Sequence, residues 1–184
     1  SVLNGEAMDL EVMLRHCDGK EDDVLRNIIE SHQIWAGFYF GNYEFCGKLV
    51  QGTKGKTKRA TVITWRRALF DGLTAFELAR RTKSREWKTH AAKVAAKVRG
   101  WAEKGNVNCM HVQFLFEAER AALEGKHREA REKYEKAIST VSRHGFLNDR
   151  ALANERAGEY FMEHGDRYFA AHHLGLAHQL YSNW

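Results

Sequence analysis

Apolar residues recur at steps of three and four along most of the chain. Val24, Leu25, Ile28, Ile29, Trp35, Ala36, Tyr39 and Phe40 follow this rhythm, which puts them on one face of a helix. Gly41-Asn42-Tyr43-Glu44 interrupts it and reads as a turn, with a second helix expected through Phe45 to Val50. Ile63, Arg67, Phe70, Leu73, Phe76 and Leu78 predict a helix ending near Arg81, and Trp87 to Ala102 predicts its partner, closed by Gly105-Asn106. Residues 107–124 with 127–143, and 147–164 with 167–183, form the two clearest pairs. A leading helix over residues 6–17 is a further candidate. No segment shows the two-residue alternation of a half-buried strand.

The two clearest pairs correspond to each other. Gly125, Ala130, Tyr134 and Ala137 are matched by Gly165, Ala170, Leu174 and Ala177, each forty residues later, and Ala118 and Ala121 are matched by Gly158 and Phe161 at the same shift. Small residues let two antiparallel helices touch, while larger ones four and seven positions along the same face fill the groove to the next pair. The glycine stands where the first helix must stop, since a left-handed cap strains glycine least. Asp166, just after Gly165, is then placed to accept the free N–H groups opening the second helix. The pattern predicts an all-α, right-handed solenoid of antiparallel helix pairs, about eight helices in one array spanning residues 1–184. The pairs fall near 24–50, 61–104, 107–143 and 147–183, with a basic linker at 51–60.

Composition agrees with long helices. The 184 residues contain no proline, where average usage would supply about nine. Cys17, Cys46 and Cys109 are too scattered for a disulfide framework or a zinc site and suit a reducing compartment. No apolar run approaches a membrane span and no charged-then-apolar leader opens the chain, so a cytoplasmic protein is expected. Starting at Ser1 without methionine and stopping at Trp184 in mid-pattern, the chain reads as a fragment of something longer.

The spacing of Gly125, Ala130, Tyr134 and Ala137 resembles the tetratricopeptide repeat, although the period is forty and no proline closes the unit. FLFEAERAALEGKHREAREKYEKAI (114–138) and GFLNDRALANERAGEYFMEHGDRYFAAHHLGLAHQLYSNW (145–184) are similar to the helical-repeat region of large multidomain signalling kinases. In that family a serine/threonine-kinase-like domain and an ATPase precede the array, and GAF and histidine-kinase domains follow it. The likeness extends over residues 101–184, and over 1–60 only as a pattern. It implies a spacer or docking surface between sensor and output domains, with no catalytic residue and no cofactor carried over to this chain.

Charge adds candidates for binding. Lys and Arg number 29 against 24 Asp and Glu, a net +5 concentrated in the middle of the chain. QGTKGKTKR (51–59) invites comparison with a phosphate loop, but counting back from Gly55 lands on Val50, Gly47 and Gly52 miss the register, and no strand precedes it. Lys54, Lys56, Lys58, Arg59, Arg66 and Arg67 remain a possible basic patch for nucleic acid, with the aromatics as stacking partners. In a tetratricopeptide-like array the first helix of each pair lines the concave face, which makes Glu119, Glu155, Glu159 and Glu163 candidates for an extended basic partner. That partner could be another domain of the parent chain or the Lys54–Arg59 linker of a second copy. The ten histidines, including His172-His173 with His178, His164 beside Glu163, and the Cys109-Met110-His111 run, read as surface or cap residues rather than metal ligands. Ser31 beside His32 lacks a nucleophile elbow. No active site is predicted.

Overall fold

The computed structural model describes residues 23–52, 64–143 and 145–184. They form eight α-helices and one short 3-10 turn, with no strand among the described residues. The candidate helix 6–17 and most of the basic linker, including Lys54, Lys56, Lys58 and Arg59, lie outside them. The chain divides into two compact units between Val94 and Ala95, within a helix, whereas the sequence predicts a single array.

In the first unit α1 (Asp23–Tyr39), α2 (Tyr43–Gly52) and α3 (Thr64–Thr82) pack on one another. α3 is the central element: from Ala68 to Ala79 every residue except Asp71 is buried. Ile34 and Phe38 of α1, Tyr43, Cys46 and Val50 of α2, and Leu69, Phe70, Leu73 and Phe76 of α3 make the core. Burying each large side chain contributes about 1.5–3 kcal/mol. Phe38 sets its ring edge-on to both Tyr43 and Phe70, at 5.2 and 5.7 Å, a geometry that ring quadrupoles favour. Two glycines let the backbones approach. A methyl group on Gly37 would lie 2.8 Å from Cys46 Sγ, and one on Gly47 would lie 2.6 Å from Leu78 Cδ1 and 3.1 Å from the Trp87 ring. The Cys46 thiol donates to the Ile34 carbonyl across this seam (3.4 Å), and burial pushes its pKa up to about 11.

α4 (Arg85–Glu103) follows α3 after two residues, one of them Lys83 at φ 57°. Trp87 in its first turn reaches Gly47 of α2. The expected α3–α4 pair is not among the closely packed ones; α1–α2 and α2–α3 are.

The second unit holds the end of α4, the 3-10 turn Val107–Cys109, α5 (Met110–Leu123), α6 (His127–Ser142), α7 (Leu147–Glu163) and α8 (Arg167–Ser182). The most extensive contacts are α5 with α6 and α7 with α8, and α6 packs on α7 as well. Both pairs are closed by the same bonds. After α5, Gly125 at φ 70° donates to Ala122 and Lys126 donates to Ala121; after α7, Gly165 at φ 78° donates to Met162 and Asp166 donates to Phe161. This is the Schellman arrangement, which satisfies the last free carbonyls and needs the left-handed conformation that glycine adopts without strain. Ala130 and Ala170 both occupy the fourth position of their helices and are fully buried, as are Ala118 and Ala157. Asp166 caps α8 through Phe169 N–H at 3.2 Å. The expected start at 107 is a 3-10 turn, capped by Asn106, before α5 proper begins at Met110.

Candidate functional site

α7 carries Glu155, Glu159 and Glu163 one turn apart, and α5 carries Glu119. The four do not share one face. Glu119 is wholly buried and is gripped by Arg156, whose Nε and Nη2 donate to Oε1 and Oε2 at 2.8 and 3.2 Å. Arg156 Nη1 donates to Glu159 Oε2 at 2.6 Å. Burial alone would favour a neutral Arg156, but the Glu119 carboxylate outweighs it and holds the guanidinium charged. Glu119 is therefore an internal counter-ion between α5 and α7, and its place in a partner-binding face is corrected. Glu155 accepts the Tyr181 hydroxyl at 2.6 Å, Glu159 is half-exposed and Glu163 is exposed.

Arg66 and Arg67 open α3 beside α1. The Arg66 guanidinium lies 5.3 Å from the Trp35 ring centre and 5.5 Å from that of Trp65. Arg67 donates to Asp71 Oδ1 at 2.7 Å and to Ser31 Oγ at 3.2 Å. Ser31, His32, Trp35, Arg66, Arg67 and Phe70 line a cavity of about 100 Å³. Its lining is almost wholly apolar, with the Trp35 and Phe70 rings among the residues around it and the Arg66 guanidinium lying against Trp35. Ser31 and His32 make no nucleophile–base pair: the Ser31 hydroxyl donates to the Asn27 carbonyl at 2.6 Å, and His32 Nδ1 bonds the Ile28 carbonyl at 2.8 Å.

Two histidines expected at the surface are core residues. His111 Nε2 meets Asp149 Oδ2 at 3.1 Å, both side chains almost wholly buried. His173 meets Asn154 Oδ1 at 3.0 Å and stacks on Phe161 with rings 9° from parallel. No sequence neighbour announces either pairing, since the partners lie 38 and 19 residues away. Burial lowers the pKa of His173 below its ordinary 6.5, with His172 adding to the effect. Above that value His173 is neutral in both folded and unfolded chains. As pH falls through 6.5 the unfolded chain takes up a proton that the folded one resists, so stability falls with it. Urea midpoints measured at about pH 7.5 and 5.5 should show this loss, and His173→Gln should reduce it. An unchanged pH dependence in the variant would show that His173 does not carry the effect.

Among the described residues no group of three or more His, Cys, Asp and Glu side chains is placed to hold a metal ion. None of their helices is long and apolar enough to cross a membrane. No family model, curated protein or solved structure matches the chain.

Proposed function

We propose that the chain is a non-catalytic helical-repeat scaffold, a tetratricopeptide-like solenoid of antiparallel pairs, that mediates protein–protein or interdomain contact within a larger cytoplasmic signalling kinase. The observation that carries this reading is the forty-residue correspondence of the two packed pairs in the second unit: the same turn bonds and the same buried alanine at the fourth position. Stacked units of one design present equivalent side chains at regular intervals, which suits an extended partner. With Glu119 removed from the set, Glu155, Glu159 and Glu163 remain as the acidic row, and their shared sign favours a basic segment.

Fluorescence anisotropy with a labelled QGTKGKTKR peptide tests the row. Saturable binding is expected, weakened about tenfold when all three are changed to glutamine, the sum of three exposed ion pairs at about 0.5 kcal/mol each. Equal affinity in the triple variant would remove the acidic row from the partner site.

The cavity beside Arg66 favours a second reading, a nucleic-acid-binding helical array, because the Trp35 ring could stack a base and the Arg66 guanidinium against it could meet a phosphate. A gel shift with single-stranded RNA or DNA at low salt should then appear, disappear steeply with added salt and be lost on Arg66→Ala with Arg67→Ala. No shift at low salt would eliminate it.

A further inference from the structure

The turns after α5 and α7 bring together two imidazoles that the sequence holds 37 residues apart. His127 opens α6 and His164 closes α7; both are exposed, and their ring centres lie 4.7 Å apart with the rings 64° from parallel. Tyr160 stands behind both, 6.4 Å from the His127 ring and 4.4 Å from the His164 ring.

Hydrogen bonds tether Nδ1 of each ring. His164 Nδ1 is 2.7 Å from the Tyr160 carbonyl oxygen. That oxygen can only accept, so the proton is on Nδ1 and the lone pair is on Nε2. His127 Nδ1 is 3.0 Å from the Tyr160 hydroxyl, which in turn donates to the His127 carbonyl at 3.4 Å. In the tautomer that matches this direction the hydroxyl oxygen accepts from His127 Nδ1, and Nε2 carries the lone pair. Each imidazole thus has the arrangement found at metal centres, one nitrogen tethered to an outer acceptor and the other able to ligate.

We propose that His127 and His164 form a two-ligand site for a divalent first-row transition metal of right-angled preference, Ni2+ or Cu2+, with water completing the coordination. The spacing selects the class. With metal–nitrogen bonds of about 2.0–2.1 Å and roughly 1.2 Å from ring centre to Nε2, each ring centre would sit about 3.2 Å from the ion. An ion faced by both Nε2 atoms would see ring centres 4.7 Å apart at about 95°, the angle of neighbouring positions in octahedral or square-planar coordination rather than the wider tetrahedral angle that zinc adopts. An ion held there would tie α6 to α7 across the successive helix pairs.

Titration of the untagged chain with Ni2+, followed by calorimetry and by paramagnetic broadening of the histidine ring signals, tests the site. One equivalent should bind, and the His127 and His164 signals should broaden first. His127→Ala and His164→Ala should each weaken binding about tenfold or more, and Tyr160→Phe, which keeps the ring but removes the outer acceptor, should weaken it by a similar factor. His178→Ala, on the exposed face of α8, should leave it unchanged. Absence of binding, broadening spread over the other histidines, or an affinity in either alanine variant within about twofold of the parent would overturn the proposal.

Discussion

Glu119→Ala should unfold at much lower urea concentration than the parent chain, with a stability loss of about 3–5 kcal/mol. The substitution leaves Arg156, whose side chain is 3% exposed, with both of its buried acceptors gone and only the half-exposed Glu159 beside its charge. A loss of that size is a large fraction of the ~5–15 kcal/mol that holds an ordinary domain together. Glu159→Gln removes the other carboxylate on the same guanidinium, but that side chain is 40% exposed and water can replace it; a cost within about 1 kcal/mol is expected. The ordering of the two variants is the test. Replacing both members of the inner pair, as Glu119→Leu with Arg156→Met, should recover most of the loss, because a buried ion pair and an apolar pair of similar volume differ little in stability. If Glu119→Ala cost no more than Glu159→Gln, the inner pair would not be the anchor described.

The second large effect concerns the small-residue seam, and its sign depends on position. A methyl group added at Gly158 of α7 would sit 2.7 and 2.9 Å from side-chain atoms of Leu174 and 3.1 Å from its backbone nitrogen. The backbone cannot step aside as a side-chain tip can, so Gly158→Ala should crowd the α7–α8 contact by about 1–3 kcal/mol, outweighing the ~1 kcal/mol that alanine returns in helix propensity. Gly175, on the exposed side of α8, has nothing within 4 Å of the same added methyl. There only the propensity gain remains, and Gly175→Ala should stabilise by about 0.5–1 kcal/mol. Thermal unfolding of the two variants should move in opposite directions; a shared direction would mean that the close approach at Gly158 does not limit the packing.

The sequence displayed most of this local architecture because it is written locally. Helical spacing located all eight described helices to within a few residues, and the glycines at 41, 105, 125 and 165 marked four left-handed turns that the structure forms. Glu119 was misplaced for a different reason: an acid at helical spacing looks like a solvated residue unless its counter-ion is known, and Arg156 is 37 positions away. One signal was present. Ala151, Leu152, Ala153, Ala157 and Gly158 give α7 an unusually broad buried surface, and an arginine drawn into such a surface calls for a buried acid. His111 and His173 escaped notice similarly, as did the meeting of His127 with His164, since each depends on how successive helices stack and not on spacing within one. The cavity beside Arg66 combines residues from α1 and α3, which periodicity treats separately.

Among the described residues each unit encloses one thiol, Cys46 in the first and Cys109 in the second, both without solvent exposure and with pKa values raised by burial. A neutral, enclosed thiol reacts with an alkylating reagent only while the surrounding structure is open. With Cys17 replaced, the two labelling rates would time the openings of the two halves separately within one molecule, and their ratio in rising denaturant would tell whether the halves come apart together or in turn.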